Sequence, residues 1–441
     1  MAMSDKKNGK PRRDMVAVLD LGTSKTACFL AKLEDDGWPT VIGVGHQPSK
    51  GLRSGAVVDI EGARAAVATA VHAAERMAGG MVKKVFVGIG CGRPATEQVS
   101  VSIDTGGREI GPADIRKVLD LGKDRRPPAD RELLHTLPMG FRVDDQRGIR
   151  DPRGLYGKTL GLELNIVTAE AGPVRSLSTC IAGGHLDVEA FVVTPYASAL
   201  ACLVDDEMTL GTIVIDMGGG TTDIAAFQNG ALVFADSVPI GGSHATQDIA
   251  HGLSTPIAAA ERIKIQYGGA VAQPGDDRAV LDVPQIGAPE EGSPNHMPKS
   301  LLVGIIKPRI EETFELVRAK LEKSGLAKSA ARRVVLTGGA SQLAGADQIA
   351  GSVLDRQVRL GRPRRLRGLA ESATGPAFAV ATGLVLYAIE RHDSGRLAEL
   401  AALAPPKPAR LRFKTERKPQ PEGPVRPGMI RRLGTWFHDH F

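Results

Sequence analysis

Two glycine-rich loops constrain the fold of this chain more than any other feature, because they are built alike and lie far apart in the sequence. The first reads Asp-Leu-Gly-Thr-Ser-Lys from Asp20, and the second reads Asp-Met-Gly-Gly-Gly-Thr-Thr-Asp from Asp216. Each follows an apolar, β-branched run that is typical of a buried strand. The repeated order of strand, aspartate and glycine turn predicts two similar halves that face each other across a cleft.

Each loop offers groups that suit the phosphates of a nucleotide and its metal ion. Glycine lets the backbone approach a phosphate, and successive N–H groups form an anion-binding nest. Mg²⁺ is usually held through one or two carboxylates and its own waters. Asp20 and Asp216 are therefore the candidate Mg²⁺ ligands, through water, and no catalytic residue is assigned beyond this role. The candidate phosphate contacts are Gly22, Thr23, Ser24 and Lys25 in the first loop and Gly218, Gly219, Gly220 and Thr221 in the second.

A third glycine turn is predicted to contact the adenine or ribose. Residues 334–341 read as a buried strand that ends in a turn, which makes Gly338, Gly339 and Ser341 candidate contacts. A helix around residues 260–264 places Glu261 and Lys264 on one face. Taken alone, such a pair is more often a solvated surface ion pair than part of a binding site.

The order of these motifs resembles the actin-like ATPase superfamily, and within it the FtsA family of bacterial cell-division proteins. Further features resemble that family: Gly241 and Gly242 followed closely by residues 246–250, the spacing of the Glu261 and Lys264 helix, the segment 148–157, the segment 358–361, and a short amphipathic segment at the end. The resemblance implies that Gly241 and Gly242 also contact the nucleotide and that Glu261 and Lys264 form a helical wall beside the adenosine.

The resemblance implies an α/β fold with actin-like, ribonuclease-H-like duplicated domains around a nucleotide cleft, an inserted α+β subdomain and a C-terminal amphipathic helix. The expected divisions are a disordered N-terminus (1–13), a first actin-like subdomain (14–84, 169–208 and 372–392), an inserted FtsA-type subdomain (85–168), a second actin-like subdomain (209–242 and 330–371), an adenine-side subdomain with an FtsZ-binding surface (243–329), a Pro-rich linker (393–427) and a membrane-targeting helix (428–441).

The net charge is concentrated at the C-terminal end. The chain has 56 Lys/Arg and 50 Asp/Glu, and the residues from Arg391 onward hold 11 of the former and 5 of the latter, so residues 1–390 balance at 45 each. A basic tail suits either nucleic acid or an anionic membrane.

The 4 cysteines are scattered, which favours neither a zinc site nor a disulfide framework. The N-terminus is polar, without the apolar segment of a signal peptide.

The last residues form an amphipathic pattern that favours the membrane over nucleic acid. At 100° per residue, the apolar side chains fall within an arc of roughly 140°. Such a helix lies in the membrane interface with its arginines toward anionic headgroups, although docking in a protein groove is the alternative. One copy should bind weakly, and a polymer firmly. The candidate membrane residues are Met429, Ile430, Arg431, Arg432, Leu433, Trp436, Phe437 and Phe441.

The resemblance also implies partners and a location. We expect ATP or ADP with Mg²⁺, self-assembly into filaments, the FtsZ C-terminal peptide, later division proteins and anionic inner-membrane lipids, at the cytoplasmic face of the membrane at the septum, and no nucleic acid. An acidic peptide favours a basic patch, so Lys307 and Arg309 are the candidate FtsZ contacts.

Hydrolysis is expected to be slow at most. In the heat-shock ATPases of the superfamily, a glutamate precedes the proline that begins the first connecting helix. Thr194 stands in that place here, before Pro195, and a hydroxyl is a poor base near neutral pH. The alternatives are another actin-like assembly adaptor of the pilus type, or a sugar kinase or chaperone-type ATPase.

Overall fold

The structure, a computed structural model, describes residues 15–34, 37–123, 126–287, 295–326 and 332–403, with side chains as far as Arg391. The predicted N-terminal segment 1–13 and the membrane-targeting helix 428–441 lie outside the described residues. Among the described residues, no helix has the length and apolar content needed to cross a membrane.

The chain alternates short strands and helices. The strands are β1 (Met15–Leu21), β2 (Lys25–Leu33), β3 (Pro39–Pro48), β4 (Leu52–Arg53), β5 (Ala56–Val57), β6 (Lys84–Ile89), β7 (Ala95–Asp104), β8 (Arg131–Val143), β9 (Gln146–Ile149), β10 (Thr159–Glu170), β11 (Asp187–Val193), β12 (Thr212–Met217), β13 (Thr222–Gln228), β14 (Ala231–Val238), β15 (Val280–Val283), β16 (Asn295–Pro298), β17 (Arg333–Thr337) and β18 (Gln357–Leu360). The helices are α1 (Ile60–Ala78), α2 (Pro112–Lys123), α3 (Ala171–Ala182), α4 (Thr194–Cys202), α5 (Asp205–Leu210), α6 (Gly242–Gly252), α7 (Ile257–Tyr267), α8 (Lys299–Lys323), α9 (Ala346–Leu354) and α10 (Ala379–Leu403).

Two five-stranded sheets within the larger of two compact units share one topology. Their strand orders are β3-β2-β1-β6-β11 and β14-β13-β12-β17-β18. In each sheet, three antiparallel strands are followed by two strands that run parallel to the third. The sheets therefore confirm the predicted duplication, and the β1–β2 and β12–β13 turns occupy equivalent places.

Helix α1 covers the first sheet because its sequence repeats alanine and valine along one face. Asp59 caps its start by accepting from the N–H groups of Glu61 and Gly62, and Gly79 ends it in the left-handed conformation at φ 67°. On the facing strand, a Cβ at Gly45 would overlap the Ala70 carbonyl, so only glycine lets β3 approach this closely.

Helices α4 and α10 cross in close contact. A Cβ at Gly383 in α10 would overlap the carbonyl of Ala197 in α4. Ala197, Ser198 and Ala199 are all fully buried. The small residues of both segments thus allow α4 and α10 to cross closely.

Among the described residues, the smaller compact unit comprises 101–123, 140–162 and 389–403. Helix α2 begins in a turn fixed by Asp114, which accepts from the Gly111 N–H at 3.0 Å and from the Arg108 guanidinium at 2.8 Å. Strands β7, β10, β8 and β9 form a four-stranded sheet in that order.

Three elements differ from what the sequence pattern predicts. Residues 14–84 read as three strands followed by a helix, and the structure adds the small β4–β5 hairpin before α1. A charged amphipathic pattern predicts a helix from Lys307 to Glu322, but α8 begins at Lys299 and carries Pro308 within it. Helix α10 runs to Leu403, into the predicted linker, because no proline occurs before Pro405.

Candidate functional site

The two glycine loops are hairpin turns of the same geometry. In the first loop the Gly22 N–H donates to the Lys25 carbonyl at 3.0 Å, and in the second the Gly218 N–H donates to the Thr221 carbonyl at 2.9 Å. Asp20 and Asp216 each precede the turn by two residues and are buried. The sequence duplication is therefore also a duplication of backbone structure.

The two loops contact each other directly. A Cβ at Gly219 would overlap Ser24 Oγ, and a Cβ at Gly220 would overlap Thr23 Oγ1. Hydroxyls of the first loop thus occupy the space that the missing side chains of the second loop leave open. The structure brings together the candidate phosphate contacts of both loops.

A buried acidic cluster lies behind the loops. Asp20, Asp216 and Asp223 are 6%, 5% and 4% exposed. Burial raises the pKa of Asp216 to about 7, and the nearby Asp223 carboxylate adds to this effect. Burial also raises the pKa of Asp20, against the opposing effect of the Lys25 ammonium. Within the described part of the chain, Asp216 Oδ2 is buried without a hydrogen-bond partner. The described residues contain no group of three or more acidic, His or Cys side chains placed to hold a metal ion directly, so a Mg²⁺ ion beside Asp20 and Asp216 would have to be held through its own waters.

Asp223 belongs to this cluster, although the sequence reading does not select it. It lies opposite Asp216 in the β12–β13 register. Its carboxylate accepts from the hydroxyls of Thr194 at 2.6 Å and Ser237, while burial raises its pKa to about 6. The second aspartate of the Asp-x-Gly-Gly-Gly-Thr-x-Asp run is the sequence signal that points to it. The Thr194 hydroxyl is thus engaged with a carboxylate rather than free in the cleft.

The predicted adenosine wall is assembled around Lys264. Its ammonium donates to the Gly242 carbonyl at 3.0 Å, to Thr246 Oγ1 at 2.8 Å and to Glu261 Oε2 at 2.8 Å. Thr246 also donates to the Glu261 carboxylate. Lys264 is therefore the centre of a polar cluster that joins α6 to α7, and the pair is more than a solvated surface contact.

The third glycine turn lies beside the second loop. A Cβ at Gly338, where φ is 89°, would overlap Asp216 Oδ1, and a Cβ at Gly242 would lie 3.0 Å from Ala340 Cβ. A Cβ at Gly241 would likewise overlap the Gly218 carbonyl oxygen. The hydroxyl of Ser341 donates to the Gly338 carbonyl at 2.7 Å, so this side chain shapes its own turn.

Lys25 points to the start of the last helix. Its ammonium donates to the Ala377 carbonyl and lies 4.5 Å from the centre of the Phe378 ring. Gly339 faces the same turn, since a Cβ there would lie 3.6 Å from Ala377 Cβ. The turn at Ala377 thus contacts both the first phosphate loop and the adenosine loop.

The candidate FtsZ contacts lie on α8, and both have acidic neighbours. Lys307 lies 3.7 Å from the Glu311 carboxylate. Arg309 pairs with Asp248 of α6 at 2.6 Å and with Glu312. The candidate membrane residues lie outside the described residues.

Comparison with known proteins gives matches along most of the chain. A family model described as cell division protein FtsA matches residues 213–383, and one described as the SHS2 domain inserted in FTSA matches residues 92–168. The cell division protein FtsA of Rhizobium meliloti (strain 1021) is 43% identical over 398 residues, which cover 87% of this chain and 90% of that protein. The protein of the same name from Pseudomonas aeruginosa is 35% identical over 381 residues, covering 86% and 91%.

Solved structures identify the fold. A PilM–PilN type IV pilus biogenesis complex has a chain with a TM-score of 0.58 at 17% identity, covering 86% of this chain and 99% of that one. MreB 5 of Spiroplasma citri, bound to AMPPNP, has a TM-score of 0.52 at 13% identity, covering 89% and 100%. The fold is actin-like, and it carries an SHS2 insertion.

Proposed function

The chain belongs to the cell division protein FtsA family, and on this premise we propose that it binds ATP or ADP with Mg²⁺, polymerises on the cytoplasmic face of the inner membrane and tethers FtsZ filaments there while the division ring assembles. The matched pair of hairpin loops, with a buried aspartate at the start of each, carries the proposal.

Each part of the nucleotide has candidate contacts. Gly22, Thr23 and Ser24 face Gly218, Gly219, Gly220 and Thr221 and would hold the phosphates. Asp20 and Asp216 would hold Mg²⁺ through its waters, and the unpartnered Asp216 Oδ2 supports this role. Gly241, Gly242, Gly338 and Gly339 would pack against the adenosine, beside Glu261 and Lys264. Bound Mg²⁺ would neutralise phosphate charge.

Slow hydrolysis is part of the proposal. Thr194 replaces the glutamate of the heat-shock ATPases, and its hydroxyl is committed to Asp223. We expect nucleotide to act as a ligand for assembly. Binding of ADP and of a non-hydrolysable ATP analogue is measured by calorimetry on the full chain with Mg²⁺. If neither binds, the nucleotide role fails, and brisk turnover of ATP contradicts slow hydrolysis.

Membrane binding is proposed from the sequence of the last residues. Burying four large apolar side chains gains about 6–12 kcal/mol gross, and the two arginines add roughly 1 kcal/mol each. Ordering a helix of about 13 residues costs about 1 kcal/mol per residue, which offsets most of this gain. Net binding of one copy should therefore be weak. Filaments bring many copies together, which supports attachment through self-assembly.

Sedimentation with anionic liposomes tests this attachment. The full chain should sediment, and a chain that ends at Pro427 should stay in solution. Trp436→Ala should weaken sedimentation several-fold, because tryptophan anchors such a helix at the interface. Thr435→Ala, on the other side of the helix, is the matched control. Equal sedimentation of the truncated chain would contradict the proposal.

The FtsZ contact is proposed at Lys307 and Arg309. Arg309 also ties α8 to Asp248, so its exchange tests folding as well as binding. Lys307→Glu is the cleaner variant, and Arg318→Glu on the same helix is its control. We expect Lys307→Glu to weaken binding of a labelled FtsZ C-terminal peptide about five-fold or more, since a favourable charge contact becomes repulsive. Equal affinities for both variants and the original chain would remove this assignment.

A further inference from the structure

Helix α6 begins after a glycine whose place no ordinary capping residue can take. Gly241 precedes the helix in an extended conformation, with φ −156° and ψ −169°. A Cβ at this position would overlap the Gly218 carbonyl oxygen. Serine, threonine, asparagine and aspartate, whose side chains usually accept from the first N–H groups of a helix, therefore do not fit here. The start of α6 must be fixed in another way.

His244 fixes the start of α6 from within the helix. It is the third residue of α6, and its Nδ1 lies 3.1 Å from the Gly241 backbone nitrogen and 3.3 Å from the Gly241 carbonyl oxygen. That carbonyl already accepts from the His244 N–H at 3.0 Å, whereas the Gly241 N–H has no other partner in the described part of the chain. Nδ1 therefore accepts from the Gly241 N–H, and only an unprotonated Nδ1 can do so. Glutamate or glutamine usually makes this contact from the third position of a helix.

The start of α6 also sets the direction of the second phosphate loop. The Gly218 carbonyl accepts from the Gly242 N–H at 3.0 Å, and the Gly219 carbonyl accepts from the Ser243 N–H at 2.8 Å. In a planar trans peptide, the N–H group points away from the C=O group. The N–H groups of Gly219 and Gly220 are therefore turned away from α6, and among the residues that the structure describes neither has a hydrogen-bond partner. Two adjacent free N–H groups of this kind bind an anion.

We propose that neutral His244 is a positioning residue for the nucleotide: it fixes Gly241 and, through the first residues of α6, holds the second loop with its N–H groups directed at the phosphates. The inference rests on the proposed nucleotide binding and adds a dependence on pH to that site. Once the imidazole is protonated, the Gly241 N–H loses its acceptor. Histidine changes its charge between about pH 5 and 8, so protonation of His244 should lower nucleotide affinity on the acidic side of this range.

The charged groups on the helices packed against His244 have partners of their own. Asp248 lies one turn further along α6, and Arg309 of α8 pairs with it at 2.6 Å. Lys264 of α7 donates to Glu261 Oε2 at 2.8 Å. None of these four side chains forms a hydrogen bond with the imidazole. Protonation of His244 therefore changes its contact with the start of α6 and breaks none of these pairs.

Two buried carboxylates titrate in the same range of pH and must be separated from His244. Burial raises the pKa of Asp216 to about 7 and that of Asp223 to about 6. Nucleotide affinity of the original chain will therefore depend on pH whatever the histidine does. A variant that keeps the hydrogen-bond acceptor but cannot be protonated removes the contribution of the histidine alone.

His244→Gln and His244→Ala separate the acceptor from the imidazole. Glutamine can accept from the Gly241 N–H at every pH, whereas alanine has no acceptor. His251→Gln is the matched control, because His251 is an exposed histidine in the last turn of the same helix. ADP affinities of the full chains are measured by calorimetry with Mg²⁺ at about pH 7.5 and about pH 5.5. Thermal unfolding is the folding check.

At about pH 7.5, His244→Gln should bind ADP within about two-fold of the original chain, and His244→Ala about five- to ten-fold more weakly, as expected for the loss of one hydrogen bond. At about pH 5.5, His244→Gln should bind ADP about five-fold more tightly than the original chain. His251→Gln should match the original chain at both pH values. If His244→Ala does not fold, the comparison of His244→Gln with the original chain decides alone.

Three results would overturn the inference while nucleotide binding stands. In the first, His244→Gln and the original chain bind ADP equally at acidic pH. In the second, His244→Gln binds as weakly as His244→Ala at about pH 7.5, so that the imidazole acts in another way. In the third, the original chain binds more tightly than His244→Gln at acidic pH, as a direct contact between imidazolium and phosphate requires. Failure of the original chain to bind ADP would instead refute the proposed function.

Discussion

The β1–β2 loop and the β12–β13 loop have the same backbone and different chemistry. Each closes with an N–H donated from its first glycine to the carbonyl three residues on. The first loop fills its turn with Thr23, Ser24 and Lys25, whereas the second has Gly219 and Gly220 at the places that face them. One loop supplies side-chain donors, and the other supplies bare backbone and the space those donors need.

The strands that flank the two loops differ as well, in the residue that lies opposite each aspartate. Asp20 lies opposite Ala27 in the first hairpin, and Asp216 lies opposite Asp223 in the second. The second half therefore has an additional carboxylate, that of Asp223, which the hydroxyls of Thr194 and Ser237 stabilise. The halves share a fold, but only the second has a pair of facing acids.

The largest expected effect comes from removing one member of that pair. The pKa of Asp216 is about 7 in the folded protein, well above its ordinary value of 3.8. The folded state therefore holds more protons than the unfolded state between these values, and the free energy of unfolding falls as pH rises through this range. Asp216→Asn should flatten that fall and, at about pH 7.5, raise the free energy of unfolding by about 2–4 kcal/mol.

Urea unfolding at about pH 5 and about pH 7.5, with a chelator present, measures the effect. Asp205→Asn is the control, because that carboxylate is exposed and solvent screens its charge. Parallel pH dependences for Asp216→Asn and the original chain would mean that the buried pair does not titrate as described.

An intermediate effect is expected where the loops meet. Gly219→Ala places a Cβ into Ser24, so we expect a loss of about 2 kcal/mol in the free energy of unfolding. Adding Ser24→Gly should restore about half of it, because the two side chains would have exchanged places. A double-mutant cycle by urea unfolding measures this coupling. Gly80→Ala, with open space around it, is the control. Additive effects would show that the loops do not touch.

The sequence predicts the duplicated sheets and both glycine loops because each depends on a local pattern, whereas the place of Glu261 and Lys264 beside an adenosine is implied by the family resemblance and stays a prediction. Strand runs, glycine turns and the spacing of Glu261 and Lys264 are readable without knowing the packing. The second aspartate of the Asp-x-Gly-Gly-Gly-Thr-x-Asp run marks Asp223 in the sequence, but its pairing with Asp216 and the hydroxyls from α4 and β14 that stabilise it depend on the cross-strand register and the tertiary fold. The sequence pattern does not predict the β4–β5 hairpin, because each strand has only two residues and the turn begins with a serine.

Lys25 is a second residue whose contacts could not be predicted from the sequence. Beside a phosphate loop, a lysine is expected to contact phosphate, and its charge does favour the ionised forms of Asp20 and Asp216. The structure nevertheless directs its ammonium to a carbonyl contributed from the far end of the chain. Only the tertiary fold brings Ala377 to that position.

The smallest effect should come from this lysine, which has no counterpart in the second loop. Lys25→Met removes a hydrogen bond to Ala377 and a cation–π contact with Phe378, so the free energy of unfolding should fall by about 1 kcal/mol. Lys32→Met is the matched control on the same strand, because Lys32 pairs with Glu34 near the surface and should matter by only a few tenths of a kcal/mol. Urea unfolding without nucleotide compares the two variants.

Since nucleotide is absent, a larger loss for Lys25→Met reports on the contact with the last helix and not on phosphate binding. Equal losses would mean that this lysine does not help to hold the first loop to α10, and its place in the loop would then be explained by phosphate alone.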